Sequence, residues 1–278
     1  MSTVLITGTS SGFGKMAALQ FARKGDNVFA SMRNTAMGAE LEQIARKENV
    51  ALKVVQLDVL SDDSVAGAVK QVLGDAGSID VLVNNAGFEI RGAVEEISDE
   101  EARAQFDTNV FGLLRVTRAV LPHMRSRGSG RIINVSSVAG IVGVPFGGIY
   151  AASKHAVEAL TETMYWELHP FGISVCLIEP GAFPTEFSAN IQVARAHESG
   201  IYKQTAEEFR NRVGRLAPGG EPQDPNKVAD AIYNAAYDES LKLRYPVGGD
   251  ANLIVGAYKQ MDFEGFSQAM RQALDWWD

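Results

Sequence analysis

An α/β fold is what this sequence predicts: a doubly wound parallel sheet of about seven strands with helices on both faces. Three observations carry that expectation. Short β-branched runs alternate with longer stretches whose apolar residues recur at spacings of three and four. The first run opens directly into a glycine-rich turn and a helix. No internal repeat or linker divides the 278 residues, so a single domain over 1–278 is expected.

The strand runs, in order, are TVLIT (3–7), NVFASM (27–32), LKVVQLD (52–58), IDVLVN (79–84), RIINVSS (131–137) and ISVCLIE (173–179), with LRYPVG as a last short strand. Helical stretches such as GKMAALQFARKG and SVAGAVKQVLGDAG lie between them. Ser61 reads as an N-cap, and Ser98 with Glu101 forms a capping box that opens the helix EARAQFDTNVFGLLRVTRAVLPHM. Pro122 is expected to kink or end that helix. From about 185 to 225, Gly200, Pro218, Gly219, Gly220 and Pro222 punctuate a polar helical segment around TAEEFRNRV, which reads as a substrate lid. PNKVADAIYNAAYD resumes a helix, and an amphipathic helical extension over about 249–278 runs to Trp276 and Trp277.

Composition narrows the function. With 46% hydrophobic and 22% charged residues the chain has enough apolar content to fold alone. A net charge of −8 disfavours nucleic acid and anionic membrane as partners and leaves a small molecule as the expected one. Cys176, the single cysteine, lies in an apolar run, which excludes an intrachain disulfide and reads as a buried thiol. MSTVLITG lacks the pattern of a secretory leader, and no apolar run approaches the roughly 18 residues of a membrane span, so a cytoplasmic setting is expected. His123, His155, His169 and His197 are dispersed without ligand spacing, and no metal site is expected.

The turn after the first strand, TGTSSGFGK, places Gly8, Gly12 and Gly14 at the start of a helix, with Ser10, Ser11 and Phe13 between them. Glycines there let the backbone approach a pyrophosphate, whose charge meets the unpaired N–H groups and dipole of the helix. Their spacing is Gly-x3-Gly-x-Gly, unlike the commoner Gly-x-Gly-x2-Gly dinucleotide fingerprint. The second strand ends SMRN, with Met32 where an acid would serve NAD and Arg33 beside it, which favours NADP(H) while leaving NAD(H) usable. Arg33 otherwise reads as a solvated loop residue. Asp58, followed by Val59, reads either as an adenine contact or as a strand-end turn carboxylate.

Further motifs follow in order: NNAG at 84–87, FDTNVFG with Asn109, NVSSVAG with Ser137, then Tyr150, Lys154, and IEPGAFPT. A Tyr-x3-Lys pair arises by chance in roughly one chain in four at this composition, so its weight comes from the company it keeps. The whole order resembles the short-chain dehydrogenase/reductase family over roughly residues 3 to 186, which implies a Rossmann-type sheet. The resemblance implies Tyr150 as acid/base, Lys154 as the group that holds the nicotinamide ribose and lowers the tyrosine pKa, Ser137 polarising the substrate oxygen, and Asn109 supporting a proton-relay water. It also implies cofactor contacts at Asn85, Ala86, Gly87, Pro180, Gly181, Phe183 and Thr185. The physics agrees. A free phenol has a pKa near 10, so acid/base work near neutrality needs its anion stabilised, and a spacing of four puts Tyr150 and Lys154 on one helix face about 6 Å apart.

The loop VAGIVGVPFGGI between Ser137 and Tyr150 is apolar, and Val138, Val142 and Phe146 with Phe183 are expected to border the substrate beside Ser137 and Tyr150. The runs VPFGGIYAASKHAVEAL and LHPFGISVCLIEPG look similar to the hydroxysteroid and retinol dehydrogenase branch. The expected activity is an NADP(H)-preferring oxidoreductase that interconverts a secondary alcohol and a ketone, or an alcohol and an aldehyde, on a fairly apolar substrate. The alternatives are a 3-oxoacyl reductase-type enzyme and a non-catalytic NADP sensor. A sugar epimerase or dehydratase shares Tyr-x3-Lys but has a different glycine spacing. The resemblance further implies a homodimer or homotetramer through the helices at about 98–126 and 148–169; a C-terminal extension that covered the terminal strand would block the tetramer and leave a dimer.

Overall fold

The computed structural model describes residues 1–197, 200–213 and 222–276. Pro218, Gly219 and Gly220 of the expected lid, and Trp277 of the tail, lie outside the described residues. The chain begins with β1 (Thr3–Thr7), α1 (Gly12–Arg23), β2 (Asn27–Met32), α2 (Ala39–Glu48), β3 (Leu52–Gln56), α3 (Asp62–Ala76) and β4 (Val81–Asn84). It continues through β5 (Ile90–Arg91), α4 (Asp99–Phe106), α5 (Leu113–Arg127), β6 (Gly130–Val135), α6 (Gly148–Leu168) and β7 (Ile173–Pro180). The last elements are α7 (Glu186–Ala189), β8 (Gln192–Val193), α8 (Lys203–Val213), α9 (Asn226–Tyr237), β9 (Arg244–Val247), α10 (Gly249–Gln260) and α11 (Phe263–Leu274).

Seven strands form one parallel sheet in the order β3-β2-β1-β4-β6-β7-β9. Alternation along each strand divides the apolar side chains between two cores. Val4, Ile6, Cys176 and Ile178 face α1 and α9, whereas Leu5, Val175 and Leu177 face α3, α5 and α6. The sheet is thus buried on both sides, which is why its strands read as unbroken apolar runs. A polar thread runs along the face under α5 and α6: Asn84 Nδ2 donates to Thr117 Oγ1 and Asn134 Oδ1, and Asn134 Nδ2 donates to Thr161 Oγ1. The strand order reverses direction at β1 and β4, and the crevice above their C-terminal ends is where such sheets bind ligands.

The expected helix starts are present. Ser61 accepts a hydrogen bond from Ser64 N–H, and Ser98 forms its capping box with Glu101. Three features differ from expectation. α5 runs through Pro122 to Arg127, because Val116, Val120 and Met124 bury its inner face on both sides of the proline and outweigh one lost backbone bond. The expected continuous helix over 98–126 is instead broken by a π-helical turn, Asp107–Gly112, between α4 and α5. A two-residue parallel ribbon of β5 and β8, too short to show a sequence period, ties the segment after β4 to the lid.

The C-terminal extension does more than follow the terminal strand. Ala251 and Val255 of α10 and Phe266 of α11 bury against Val138 and Val142 of the loop after β6. Among the described residues no helix is long and apolar enough to cross a membrane.

Candidate active site

The loop between β1 and α1 is shaped by what a side chain would strike. Gly8 has φ +69° and a Cβ there would lie 2.8 Å from Ala86 Cα; at Gly14 a Cβ would lie 2.4 Å from both Asn85 Nδ2 and Gly8 O. The NNAG segment braces this loop: Asn85 Nδ2 donates to Thr7 O and Gly8 O at 3.0 Å each, and the Asn85 and Ala86 N–H groups donate to Thr7 Oγ1. Ser11 is the N-cap residue of α1 but supplies no side-chain cap. Instead Glu186 Oε2, from the lid, accepts the Gly12 N–H at 3.2 Å. A carboxylate thus stands where an anion is expected at the helix start. Phe13 packs edge-on against the buried Phe183 with ring centroids 5.7 Å apart, and Thr185 lies 3.9 Å from the position of a Gly12 Cβ.

The other expected cofactor residues divide. Arg33 is exposed at the end of β2 beside the buried Met32. Asp58 acts as a turn residue, its Oδ1 accepting Leu60 N–H while its own N–H donates to Ser64 Oγ. Val59 is buried, and its carbonyl accepts from Arg115 Nη1. Pro180, which ends β7, and Gly181 after it line the cavity that Tyr150 borders. Asp250 holds that turn, its Oδ2 accepting Ala182 N–H at 2.7 Å. Sequence reading passed over Asp250 and Glu186 because each acts on a backbone N–H far along the chain.

Ser137, Tyr150 and Lys154 converge. Ser137 lies just past β6 and N-caps a short 3-10 turn, its Oγ accepting Ala139 N–H, and it also hydrogen-bonds the Tyr150 phenol. Lys154, one helical turn after Tyr150 on α6, is buried and donates from Nζ to Val135 O at 2.8 Å. Its ammonium sits 5.7 Å from the centroid of the Tyr150 ring. Burial pulls Lys154 down to about 8, against the opposing pull of the Glu158 and Glu89 carboxylates. Tyr150 is pushed well above the ordinary phenol value, first by burial and then by Glu89, with Ser137 and Arg91 pulling the other way. The Lys154 ammonium, anchored on the Val135 carbonyl, is not among the groups that set this balance.

Asn109 and Phe146 lie outside the lining of the cavity that Tyr150 borders. Asn109 sits in the π-helical turn, buried, with Oδ1 accepting Phe88 N–H and Nδ2 donating to Phe88 O and Ser153 Oγ. Its side chain is committed to bracing the segment after NNAG against α6, and it does not border the cavity. Phe146 adopts φ +61° and turns away from the catalytic cavity into a smaller neighbouring one, against Tyr202, Phe209 and Trp276.

Ser137, Tyr150 and Lys154 border a cavity of about 770 Å³. Val138, Val142 and Phe183 line it, joined by Phe187, Ile254 and Met270 from the lid and the C-terminal extension. Beneath it lies a second group that the sequence did not announce. Glu158 and Glu179 are buried and share one guanidinium, Arg244 Nε standing 3.0 Å from Glu158 Oε2 and 3.4 Å from Glu179 Oε1. Both Glu179 carboxylate oxygens are buried without a hydrogen-bond donor, a cost relieved when Glu179 holds a proton and donates it to Glu158. Burial and Glu158 accordingly push Glu179 up to about 7.

Residues 2–196 match the model of the short chain dehydrogenase family. An uncharacterized oxidoreductase of Bacillus subtilis, YusZ, is 40% identical over 251 residues, covering 88% of each chain. Human retinol dehydrogenase 8 is 40% identical over 251 residues, covering 87% of this chain and 80% of its own. Among solved structures, a variant of actinorhodin polyketide ketoreductase with NADPH superposes at a TM-score of 0.77 with 33% identity, covering 90% of this chain and 97% of its own.

Proposed function

The chain belongs to the short-chain dehydrogenase family, and on that premise we propose that it is an NADP(H)-preferring oxidoreductase. Its substrate is a secondary alcohol and the matching ketone, or an alcohol and its aldehyde, on a largely apolar body. The observation that carries this reading is the meeting of Ser137, Tyr150 and Lys154 in the wall of one mainly apolar cavity. The kinship to a retinol dehydrogenase and to a ketoreductase studied with NADPH supports it.

The residues present fit the cofactor. Gly8 and Gly14 leave open the space that side chains would fill, and the start of α1 already attracts the Glu186 carboxylate. Arg33 is exposed where a 2′-phosphate would meet it. When bound, the nicotinamide supplies the hydride that changes the oxidation state of the substrate carbon. Tyr150, held in its protonated form by burial and Glu89, gives its proton to the carbonyl oxygen in reduction and recovers one in oxidation. Ser137 hydrogen-bonds the same oxygen and thereby orients it. Lys154 holds the ribose and returns a proton to Tyr150, a role suited to an ammonium already pulled down to about 8. Asn109 acts through position, keeping Phe88 and Ser153 in place.

Fluorescence titration tests the cofactor assignment. NADPH is expected to bind more tightly than NADH, and Arg33→Ala to weaken NADPH by about tenfold without moving NADH. Equal affinities, or an Arg33→Ala protein with unchanged NADPH affinity, contradict it. A panel of steroids, retinoids, acyl ketones and aryl ketones, followed by nicotinamide absorbance, narrows the substrate. For assembly we carry the homodimer or homotetramer, supported by the exposed Phe111 and Trp166 on the helices expected to pair, and the setting remains the cytoplasmic one expected from the sequence. A light-scattering mass of one chain contradicts that assembly.

A further inference from the structure

An ion pair is built into the wall of the substrate cavity. Glu89, just before β5, and Arg91, within it, meet at 2.6 Å between Oε1 and Nε. Glu89 is only 8% exposed. Both side chains border the catalytic cavity together with Ser137 and Tyr150, and both border the second cavity of about 400 Å³ beside it. The pair therefore stands in the partition between the two. That partition is fixed from the lid: Gln192 N–H donates to Glu89 O at 2.9 Å and Ala194 N–H donates to Arg91 O at 2.7 Å. His197 and, on α8, Lys203, Glu207 and Arg210 face the second cavity, while Lys154 faces the catalytic one. Among the described residues, no other side-chain hydrogen bond engages Glu89 Oε2 or the Arg91 Nη groups.

Such a pair is costly for a wall that apolar residues could have built. The Glu89 carboxylate is largely removed from water, a cost that a partner still 37% exposed at its side chain returns only in part. Ligand cavities reserve their few polar groups for orienting the guest. The pair is neutral as a whole, so a charged group on a guest would meet repulsion from one member as closely as attraction from the other. It offers a free carboxylate oxygen beside free N–H donors, which matches a neutral group able to accept and donate.

We propose that Glu89 and Arg91 are specificity-determining residues that take a second, uncharged polar group, a hydroxyl or a carbonyl, on an otherwise apolar substrate. This rests on the reductase reading and deepens it: the substrate carries another oxygen besides the one that Tyr150 protonates. Val138, Val142 and Met270 then hold the apolar body, and the β5 pair fixes which way it lies.

The NADPH-loaded protein is given a medium-chain methyl ketone and its monohydroxy derivatives, with the hydroxyl on successive carbons from the carbonyl. The best derivative is expected to exceed the plain ketone in kcat/KM by about tenfold or more, chiefly through KM. In Glu89→Gln and in Arg91→Met that ratio is expected to fall to about one, whereas a purely structural role would lower both substrates together and keep the ratio. A wild-type ratio near one for every derivative, or a ratio that survives both substitutions, overturns the proposal and leaves the reductase reading standing. If neither these ketones nor any member of the substrate panel turns over, the reductase reading fails, and the anchor is judged by thermal unfolding of the NADPH-loaded protein. A hydroxyketone must then raise the midpoint more than the plain ketone, with the difference lost in Glu89→Gln; equal shifts overturn it.

Discussion

The two sides of the crevice above β1 and β4 are made by different means. On the cofactor side the backbone does the positioning: Gly8 and Gly14 pass within contact of Ala86 and Asn85, and Asn85 ties two strands together through Thr7 O and Gly8 O. On the substrate side the walls are side chains drawn from distant stretches, Val138 and Val142 after β6, Phe183 and Phe187 after β7, and Ile254 and Met270 from α10 and α11. A backbone cradle tolerates almost no change, because an added atom has nowhere to go. A wall of side chains can be rebuilt one residue at a time, so the same chemistry can be offered to different guests.

The sharpest way to break this contrast is Gly14→Ala. Its Cβ would lie 2.4 Å from Asn85 Nδ2 and Gly8 O, both held by the hydrogen bonds of the brace. Destabilisation of about 2 kcal/mol or more, with NADP(H) binding lost, is expected in urea unfolding and titration. Wild-type stability and affinity would mean that the cradle gives more freely than its packing implies.

A second test concerns the carboxyl pair beneath both sides. Burial and Glu158 raise Glu179 from its ordinary 4.5 to about 7, so the native chain keeps a proton that the unfolded chain releases first. Stability from this group is complete below pH 4.5 and is lost as the pH rises to about 7, a fall on the order of 2–3 kcal/mol. Glu179→Gln keeps a neutral group of the same shape, and its urea midpoint is expected to stay level across that window. If the variant falls as steeply as wild type, the proton is held elsewhere.

The smallest effect is expected at Glu186, whose carboxylate accepts the Gly12 N–H at the start of α1, the position proposed for the cofactor phosphate. Glu186→Gln removes a competing charge at the start of α1 and should tighten NADP(H) binding by about threefold. Weaker binding in the variant would show that the carboxylate assists the cofactor.

The same contrast explains what could be read from the chain. Strands such as 3–7 and 27–32 were legible because parallel strands buried on both faces are continuously apolar. The glycine loop, NNAG, Ser137, Tyr150 and Lys154 were legible because backbone geometry and proton chemistry restrict which residues can serve. Phe146 lines the smaller neighbouring cavity at a positive φ, a placement no periodicity of the loop announces. The π-helical turn around Asn109 leaves no period to detect, and the side chain it carries braces Phe88 and Ser153. Glu89, Glu179 and Glu186 gave no signal, since their meaning depends on burial and on partners such as Arg244, 65 residues beyond Glu179.

The central claim is that Tyr150, raised by burial and Glu89 and hydrogen-bonded to Ser137, is the proton donor and acceptor. Tyr150→Phe removes only that hydroxyl. With NADPH titration confirming unchanged cofactor affinity, steady-state turnover of the best substrate from the panel should fall by about 10²–10⁴-fold, mainly in kcat. Turnover that survives within a few fold would contradict the account and assign the proton to another group.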